Sequence, residues 1–209
     1  TTLKQLHDFI YQGELQSVKD WLQHRENRIK IDFDSQDGYG STLLGSAIRR
    51  HYYRIVAALL PFCDLNATTS QGPVLFHALQ VDDLAIVRAL LDYGANPNGV
   101  GPESQTALML AATIPNISSL IALLSHGATL NNQDFSGRTA VMYAASRGLY
   151  KNMELLYRCG ANMTICDKQG KTALDYFEND ISQQKNITPQ QIDEMLSTFE
   201  QPPPVPITL

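Results

Sequence analysis

The chain has 209 residues, 44% of them hydrophobic and 18% charged, with a formal net charge of −5 at pH 7. The longest apolar run, from Ile55 to Cys63, has nine residues and contains a proline, whereas a membrane-spanning helix needs about twenty. These values are ordinary for a globular protein. They exclude a transmembrane helix, and we expect no membrane partner.

The charges are unevenly distributed along the sequence. Between Ile55 and Gly137 there are six acidic residues and one basic residue, Arg88. A surface that binds nucleic acid needs a continuous stripe of basic residues. We therefore expect no nucleic acid partner.

The cysteines and the N-terminus bear on the compartment. Cys63, Cys159 and Cys166 are an odd number and include no CxxC pair. This argues against a disulfide framework and favours a reducing, cytoplasmic compartment. The stretch TTLKQLHDFI has neither an initiator Met nor a signal-peptide pattern, so we expect it to begin inside a longer gene product.

Similar segments follow one another in chain order. The first three are LHDFIYQGELQSVKDWL (6–22), GSTLLGSAIRRHYYRIVAALL (40–60) and PVLFHALQVDDLAIVRALL (73–91). Clearer copies then open with a threonine every 33 residues, at Thr106, Thr139 and Thr172. The glycines that close successive segments have the same interval: Gly94, Gly127 and Gly160. Two landmarks with one period indicate about six tandem repeats.

Each predicted repeat contains two helices. The threonine precedes the first helix, where its hydroxyl oxygen is placed to accept from a free N–H group of the first turn. The second helix has apolar residues at helical spacing, and the glycine after it suits a left-handed helix end. Small side chains are expected where the first helices of neighbouring repeats pack together, at Ala47, Ala78, Ala111 and Ala144.

The C-terminal segment departs from the repeat. In ITPQQIDEMLSTFE, Thr188 and Pro189 are typical of a helix start, and apolar residues as far as Phe199 share one face. We predict a helix that caps the last repeat; the alternative is an amphipathic helix that binds a partner. The final QPPPVPITL favours polyproline II.

The repeat unit resembles the ankyrin repeat, whose pattern is roughly D-x-x-G-x-T-P-L-H-x-A-A-x-x-G, a second helix, and G-A-D-x-N. The best match is DFSGRTAVMYAASRGLYKNMELLYRCGANMT, residues 134–164. The family's proline after threonine is replaced at Leu43, Ala107, Ala140 and Ala173. The resemblance implies an all-α solenoid of stacked helix-turn-helix units with projecting turns. It divides the chain into a divergent N-terminal capping repeat (1–36), four repeats (37–69, 70–100, 101–133, 134–166), a C-terminal capping repeat with an extra helix (167–201) and a proline-rich tail (202–209).

The sequence contains no motif typical of a catalytic, cofactor or metal site. His126 and Cys159 are the most suggestive pair, because they occupy equivalent positions in adjacent repeats. Equivalent positions of packed helices lie about 8–10 Å apart, which is too far for a nucleophile and its base. We therefore expect no enzyme, no cofactor and no metal.

The resemblance also implies a function. Ankyrin repeats bind proteins through their turns and the ends of their first helices, so we expect a monomeric scaffold or adaptor that binds another protein or peptide along a concave groove. We expect an apolar centre on this surface and acidic groups of the partner meeting the arginines. The residues implied are Tyr39, Arg49, Arg50, Val81, Thr113, Ile114, Phe135, Arg138, Ser146 and Arg147.

Two further expectations follow from the resemblance. In some members of the family an asparagine of the loop is hydroxylated, which implies Asn66 as the candidate here. The alternative function is a regulatory or targeting domain of a larger enzyme, or a bacterial effector that acts in the host cytosol.

Overall fold

The computed structural model describes residues 3–29, 31–36, 41–67, 69, 72–183 and 197–199. These residues fall in two compact units, Thr1–Gly99 and Val100–Leu209. Tyr39, most of the predicted C-terminal helix and the proline-rich tail lie outside the described residues. The repeat boundaries stay a prediction.

Apart from the short helix α3, the helices of the first unit follow one another in pairs. They are α1 (Leu3–Gln12), α2 (Leu15–Gln23), α3 (Arg25–Ile29), α4 (Leu43–Arg49), α5 (Tyr53–Leu59), α6 (Val74–Gln80) and α7 (Leu84–Asp92). A 3₁₀ turn, Leu60–Phe62, follows α5. The first helices of successive repeats, α1, α4 and α6, contact one another in chain order.

The second unit continues the pattern. It contains α8 (Ala107–Ala112), α9 (Ser118–Ser125), α10 (Ala140–Ser146), α11 (Tyr150–Arg158) and α12 (Ala173–Gln183). Helix α10 contacts both α8 and α12. In the described part of the chain, β-pairing is limited to isolated bridges at Thr69–Gly72 and Val100–Thr106. The prediction of an all-α repeat fold is confirmed.

Local signals in the sequence account for several helix ends. The hydroxyl oxygens of Thr42 and Thr106 accept from the backbone N–H groups of Gly45 and Met109, at 3.0 and 3.3 Å. The equivalent oxygen of Thr172 accepts from Asp175 N at 3.3 Å. These bonds confirm the predicted caps at Thr42, Thr106 and Thr172, each of which contributes about 1 kcal/mol. The buried hydroxyl oxygen of Thr139 makes no such bond within the described residues.

The predicted alanine column lies in the core. Ala47, Ala78, Ala111 and Ala144 are fully buried, because their small side chains allow first helices to approach closely. At the end of the second unit the column holds Phe177, which is 1% exposed. Its ring contacts those of Tyr150 and Phe199, at centroid distances of 6.1 Å each.

Only the last residues of the predicted C-terminal helix are described. Ser197–Phe199 are helical, and Phe199 is 5% exposed. Its ring lies 5.8 Å from that of Tyr150 and 5.3 Å from that of Tyr157. The capping role stays a prediction. Among the described helices, none has the length and apolar character needed to cross a membrane.

Candidate protein-binding surface

Two aspartates shape the projecting turns of the second unit. Asp134 Oδ1 accepts from the backbone N–H groups of Ser136 and Arg138, both at 2.8 Å. One repeat later, Asp167 Oδ1 accepts from Gln169 N and Lys171 N, both at 2.9 Å. Each carboxylate therefore stabilises the conformation of its own turn by accepting two of the turn's backbone N–H groups.

The turns are also joined to one another through the main chain. Phe135 N donates to Glu103 O at 2.9 Å, and Lys168 N donates to Ser136 O at 2.9 Å. The absence of a side chain at Gly137 allows this turn to approach the next one closely, because a Cβ atom there would lie 2.9 Å from Lys168 N. Three successive turns thus form a laterally bonded series.

Phe135 lies at the tip of the middle turn. Its side chain is 66% exposed, although its backbone is fixed by the bond to Glu103 and by the Asp134 turn. Isolated exposed apolar residues are common on proteins. An exposed aromatic ring on a rigid backbone nevertheless binds a partner at low cost in conformational entropy.

Tyrosines of the first helices support the aspartates. Tyr143 Oη donates to Asp134 Oδ2 at 2.6 Å, and Tyr176 Oη donates to Asp167 Oδ2 at 2.6 Å. Burial, together with the hydrogen bond to Asp134, raises the pKa of Tyr143 to about 12. Burial likewise raises the pKa of Tyr176, and its bond to Asp167 acts in the same direction. Both phenols are therefore neutral donors at neutral pH.

Arg138, a predicted binding residue, is bound within the unit. Its Nη2 donates to Tyr176 Oη at 2.8 Å, and its guanidinium carbon lies 4.8 Å from the centre of the Tyr176 ring. The side chain is half-buried. It joins the turn at Asp134 to helix α12, and the bond to Tyr176 occupies one of its N–H donors.

The connection between α8 and α9 carries two more predicted residues, Thr113 and Ile114, both half-buried. Thr113 Oγ1 donates to Leu110 O at 2.7 Å. Asn152 Nδ2 donates to the main-chain oxygens of Ala112 and Ile114, at 3.0 and 2.7 Å. The connection is therefore anchored from α11.

Ser146 and Arg147 end helix α10. Ser146 Oγ donates to Tyr143 O at 3.0 Å, and the residue is half-buried. Arg147 is exposed and its backbone N–H donates to Ala144 O. Of the predicted residues in the second unit, Phe135 and Arg147 are the two most available to a partner.

The remaining predicted residues belong to the first unit. Arg49 and Arg50 are exposed at the end of α4, and Val81 is half-buried after α6. The guanidinium of Arg50 lies 4.2 Å from the centre of the Tyr11 ring, a cation–π contact that orients the arginine.

Asn66, the candidate for hydroxylation, is exposed. Its Oδ1 accepts from Asn96 N at 2.7 Å, and its own backbone N–H donates to Asp64 Oδ1 at 2.9 Å. An equivalent bond joins two later repeats, where Asn131 Oδ1 accepts from Asn162 N at 2.8 Å. Asn66 thus has a structural contact, and its hydroxylation stays a prediction.

The histidines and cysteines considered for catalysis or metal binding make contacts that are common in protein structures. His126 Nδ1 lies 2.8 Å from Ala122 O, within its own helix end. Burial, with a smaller effect from Asp34, raises the pKa of the Cys63 thiol to about 12. In the ranges that the structure describes, no cluster of three or more His, Cys, Asp or Glu residues is placed to hold a metal ion.

Tyr143, Tyr176 and Asn152 were not predicted from the sequence. The two tyrosines were detectable, since they are 33 residues apart and each follows an aspartate by nine. Asn152 has no equivalent signal, because its partners lie 38 and 40 residues away.

Comparison with known proteins identifies the class. The family model for ankyrin repeats (3 copies) matches residues 6–101 and 75–167. These matches cover well over half of the chain, so the chain belongs to the ankyrin repeat family. Ankyrin repeats are generally modules of protein–protein interaction and are typically not catalytic. No curated protein matches the chain in sequence.

Solved structures agree on the fold. The ankyrin repeat protein EF0377 is similar with a TM-score of 0.80 and 24% identity, covering 94% of this chain and 98% of its own. A chain in the structure of Bd0816 predatory endopeptidase from Bdellovibrio bacteriovorus in complex with immunity protein Bd3460 has a TM-score of 0.75 and 27% identity, with coverage of 94% and 98%. An ankyrin repeat domain from Acinetobacter baumannii has a TM-score of 0.78 and 25% identity, with coverage of 93% and 97%.

Proposed function

We propose that this chain is a non-catalytic adaptor that binds a partner protein through the turns and first-helix ends of its repeats. The main contact is Phe135, and Ile114 and Arg147 of the same unit add further contacts. Arg49, Arg50 and Val81 of the first unit, together with Tyr39, add contacts to the same partner or to a second one. The adaptor works as a monomer in a reducing compartment, the cytoplasm.

The observation that carries this proposal is the combination of exposure and rigidity at Phe135. The ring is 66% exposed, while the main chain beneath it is bonded to Glu103 and held by the Asp134 turn. Aromatic residues and arginines dominate the binding energy of protein interfaces. A rigid turn loses little conformational freedom on binding, so more of the contact energy appears as affinity.

Affinity capture with a matched control tests the proposal. Purified chain is incubated with extract of the organism that encodes it, and bound proteins are identified by mass spectrometry. Phe135→Ala is compared with Tyr93→Ala, which removes an aromatic ring that is 58% exposed and lies in the first unit. We expect a protein that wild type and Tyr93→Ala retain and Phe135→Ala loses. Equal retention by all three, with unchanged circular dichroism, would contradict the proposal.

A second candidate is control of an enzyme by binding to it. It is supported by the 27% identity to a chain in the structure of an endopeptidase with its immunity protein. A partner found by capture is purified and its activity is measured with increasing amounts of this chain. Inhibition or activation that Phe135→Ala abolishes supports control; binding without any change in activity supports the adaptor.

A further inference from the structure

Three exposed side chains follow one another on the bonded turns of the second unit: Glu103, Phe135 and Lys168. Their order is set by the main-chain bonds from Phe135 N to Glu103 O and from Lys168 N to Ser136 O, both 2.9 Å long. An acidic group, an aromatic ring and a basic group therefore occupy successive turns. We name Glu103, Phe135 and Lys168 the turn row.

In the described part of the chain, the two charged groups of the turn row remain available to a partner. Among the described residues, neither the Glu103 carboxylate nor the Lys168 ammonium takes part in an ion pair. The neighbouring carboxylates differ from them, because Asp134 and Asp167 each accept two backbone N–H groups and a tyrosine hydroxyl.

The other cations nearby are held by aromatic rings. The guanidinium of Arg138 lies 4.8 Å from the Tyr176 ring centre, and Lys171 Nζ lies 5.6 Å from the same centre. Arg138 also interacts electrostatically with Asp167, and Lys171 with Asp175, so carboxylates offset both charges and Lys168 supplies the positive group at this end of the row. The turn row is thus negative at one end, apolar in the middle and positive at the other.

The backbone of the Glu103 turn is held in an unusual conformation. Glu103 and Ser104 have φ angles of 58° and 61°, in the left-handed region that costs non-glycine residues about 1–2 kcal/mol each. The glycine that occupies this region in the next repeat is Gly137, with φ 81°. By the 33-residue period Ser104 takes the position of Gly137, so the Glu103 turn adopts without a glycine the conformation that Gly137 gives to the following turn.

We propose that the turn row binds an extended peptide segment of the partner in one direction only. A basic residue of the segment lies against Glu103, an apolar side chain covers Phe135 and an acidic residue lies against Lys168. Reversal of the segment would place like charges together at both ends, which is strongly disfavoured. This inference rests on the proposed function and specifies the chemistry of the partner.

The geometry limits the length of the segment. Neighbouring packed helices lie about 8–10 Å apart, and extended chain advances about 3.3 Å per residue. One step along the row therefore takes roughly three residues. A random peptide of twelve residues is long enough to cover the row with flanking sequence on either side.

Display of random twelve-residue peptides on phage, selected on the immobilised full chain, tests the inference. We expect enriched peptides with an apolar residue between a basic and an acidic residue, in one predominant order. The double variant Glu103→Lys with Lys168→Glu has the same net charge and reverses the row. It is expected to select the opposite order, and Phe135→Ala is expected to lose the enrichment.

Affinities of synthetic peptides make the result quantitative. For a peptide selected on wild type, we expect either single charge reversal to weaken binding about threefold or more, and the peptide with exchanged charges to bind the double variant best. Phe135-dependent peptides with the same order on both proteins would overturn the inference and leave the proposed function standing. Absence of any Phe135-dependent peptide would also overturn the inference, while the capture experiment decides the proposed function separately.

Discussion

Asn152 Nδ2 lies 2.7 Å from the main-chain oxygen of Ile114, 38 residues earlier in the chain. The same nitrogen donates to Ala112 O at 3.0 Å, and the asparagine is fully buried. Buried carbonyl groups at a helix end need a donor, and here a side chain of α11 supplies it. The bond keeps the connection after α8 in place, and with it the predicted contacts Thr113 and Ile114.

Replacement of Asn152 by leucine should destabilise the protein. The carbonyl oxygens of Ala112 and Ile114 would lose their side-chain donor, and the larger leucine side chain would have to fit a fully buried site, so we expect the free energy of unfolding to fall by about 2 kcal/mol or more. Urea denaturation followed by circular dichroism measures the change. Asn132→Leu, at an exposed position, should change it by less than about 0.5 kcal/mol. Equal stability of the two variants would show that the buried bond is unimportant.

Gly137 and Gly170 occupy the same position of successive repeats and offer a matched pair. Their φ angles are 81° and 78°, so alanine at either position incurs the left-handed cost of about 1–2 kcal/mol. At Gly137 the new Cβ would also lie 2.9 Å from Lys168 N, whereas nothing lies within 4 Å at Gly170. We expect Gly137→Ala to lower the urea midpoint clearly more than Gly170→Ala. The reverse ranking would contradict the close approach of the turns.

Tyr143 should make stability depend on alkaline pH. Its pKa in the folded state is about 12, against an ordinary value of 10.0. The unfolded chain therefore ionises first as the pH rises. The contribution is fully present below about pH 10 and is lost as the pH rises towards about 12. We expect the free energy of unfolding of wild type to fall more steeply over this interval than that of Tyr143→Phe; parallel curves would contradict the assignment.

The three cysteines should react at different rates with a thiol reagent. Cys166 is exposed, whereas burial raises the pKa of Cys63 to about 12 and removes almost all of its reactive thiolate at pH 8. We expect Cys63 to react at least about a hundredfold more slowly than Cys166 in the folded protein. Cys63→Ser and Cys166→Ser variants assign the phases, and all three thiols should react rapidly in guanidinium chloride. Fast labelling of Cys63 under native conditions would show that its core is open.

The repeat period, the helix starts and the family were all readable from the sequence. A cap such as Thr106 depends on Met109, only three residues away, and the alanine at position 144 recurs 33 residues after the one at 111. Such signals are local, and their repetition in successive copies distinguishes them from chance. The resemblance to the ankyrin repeat implied Phe135 and Arg147 as binding positions, and the structure has both side chains exposed.

The contacts of individual side chains depended on the tertiary structure. Arg138, whose role as a binding residue stays a prediction, is bound to Tyr176, and Asn152 was not predicted at all although it anchors the Ile114 connection. Both contacts join residues 38 apart, on elements that meet only when neighbouring repeats pack. The period predicts where each helix lies, because the helices recur in every copy. The contacts of an individual side chain depend on the residues of the adjacent copy, and these differ from one repeat to the next.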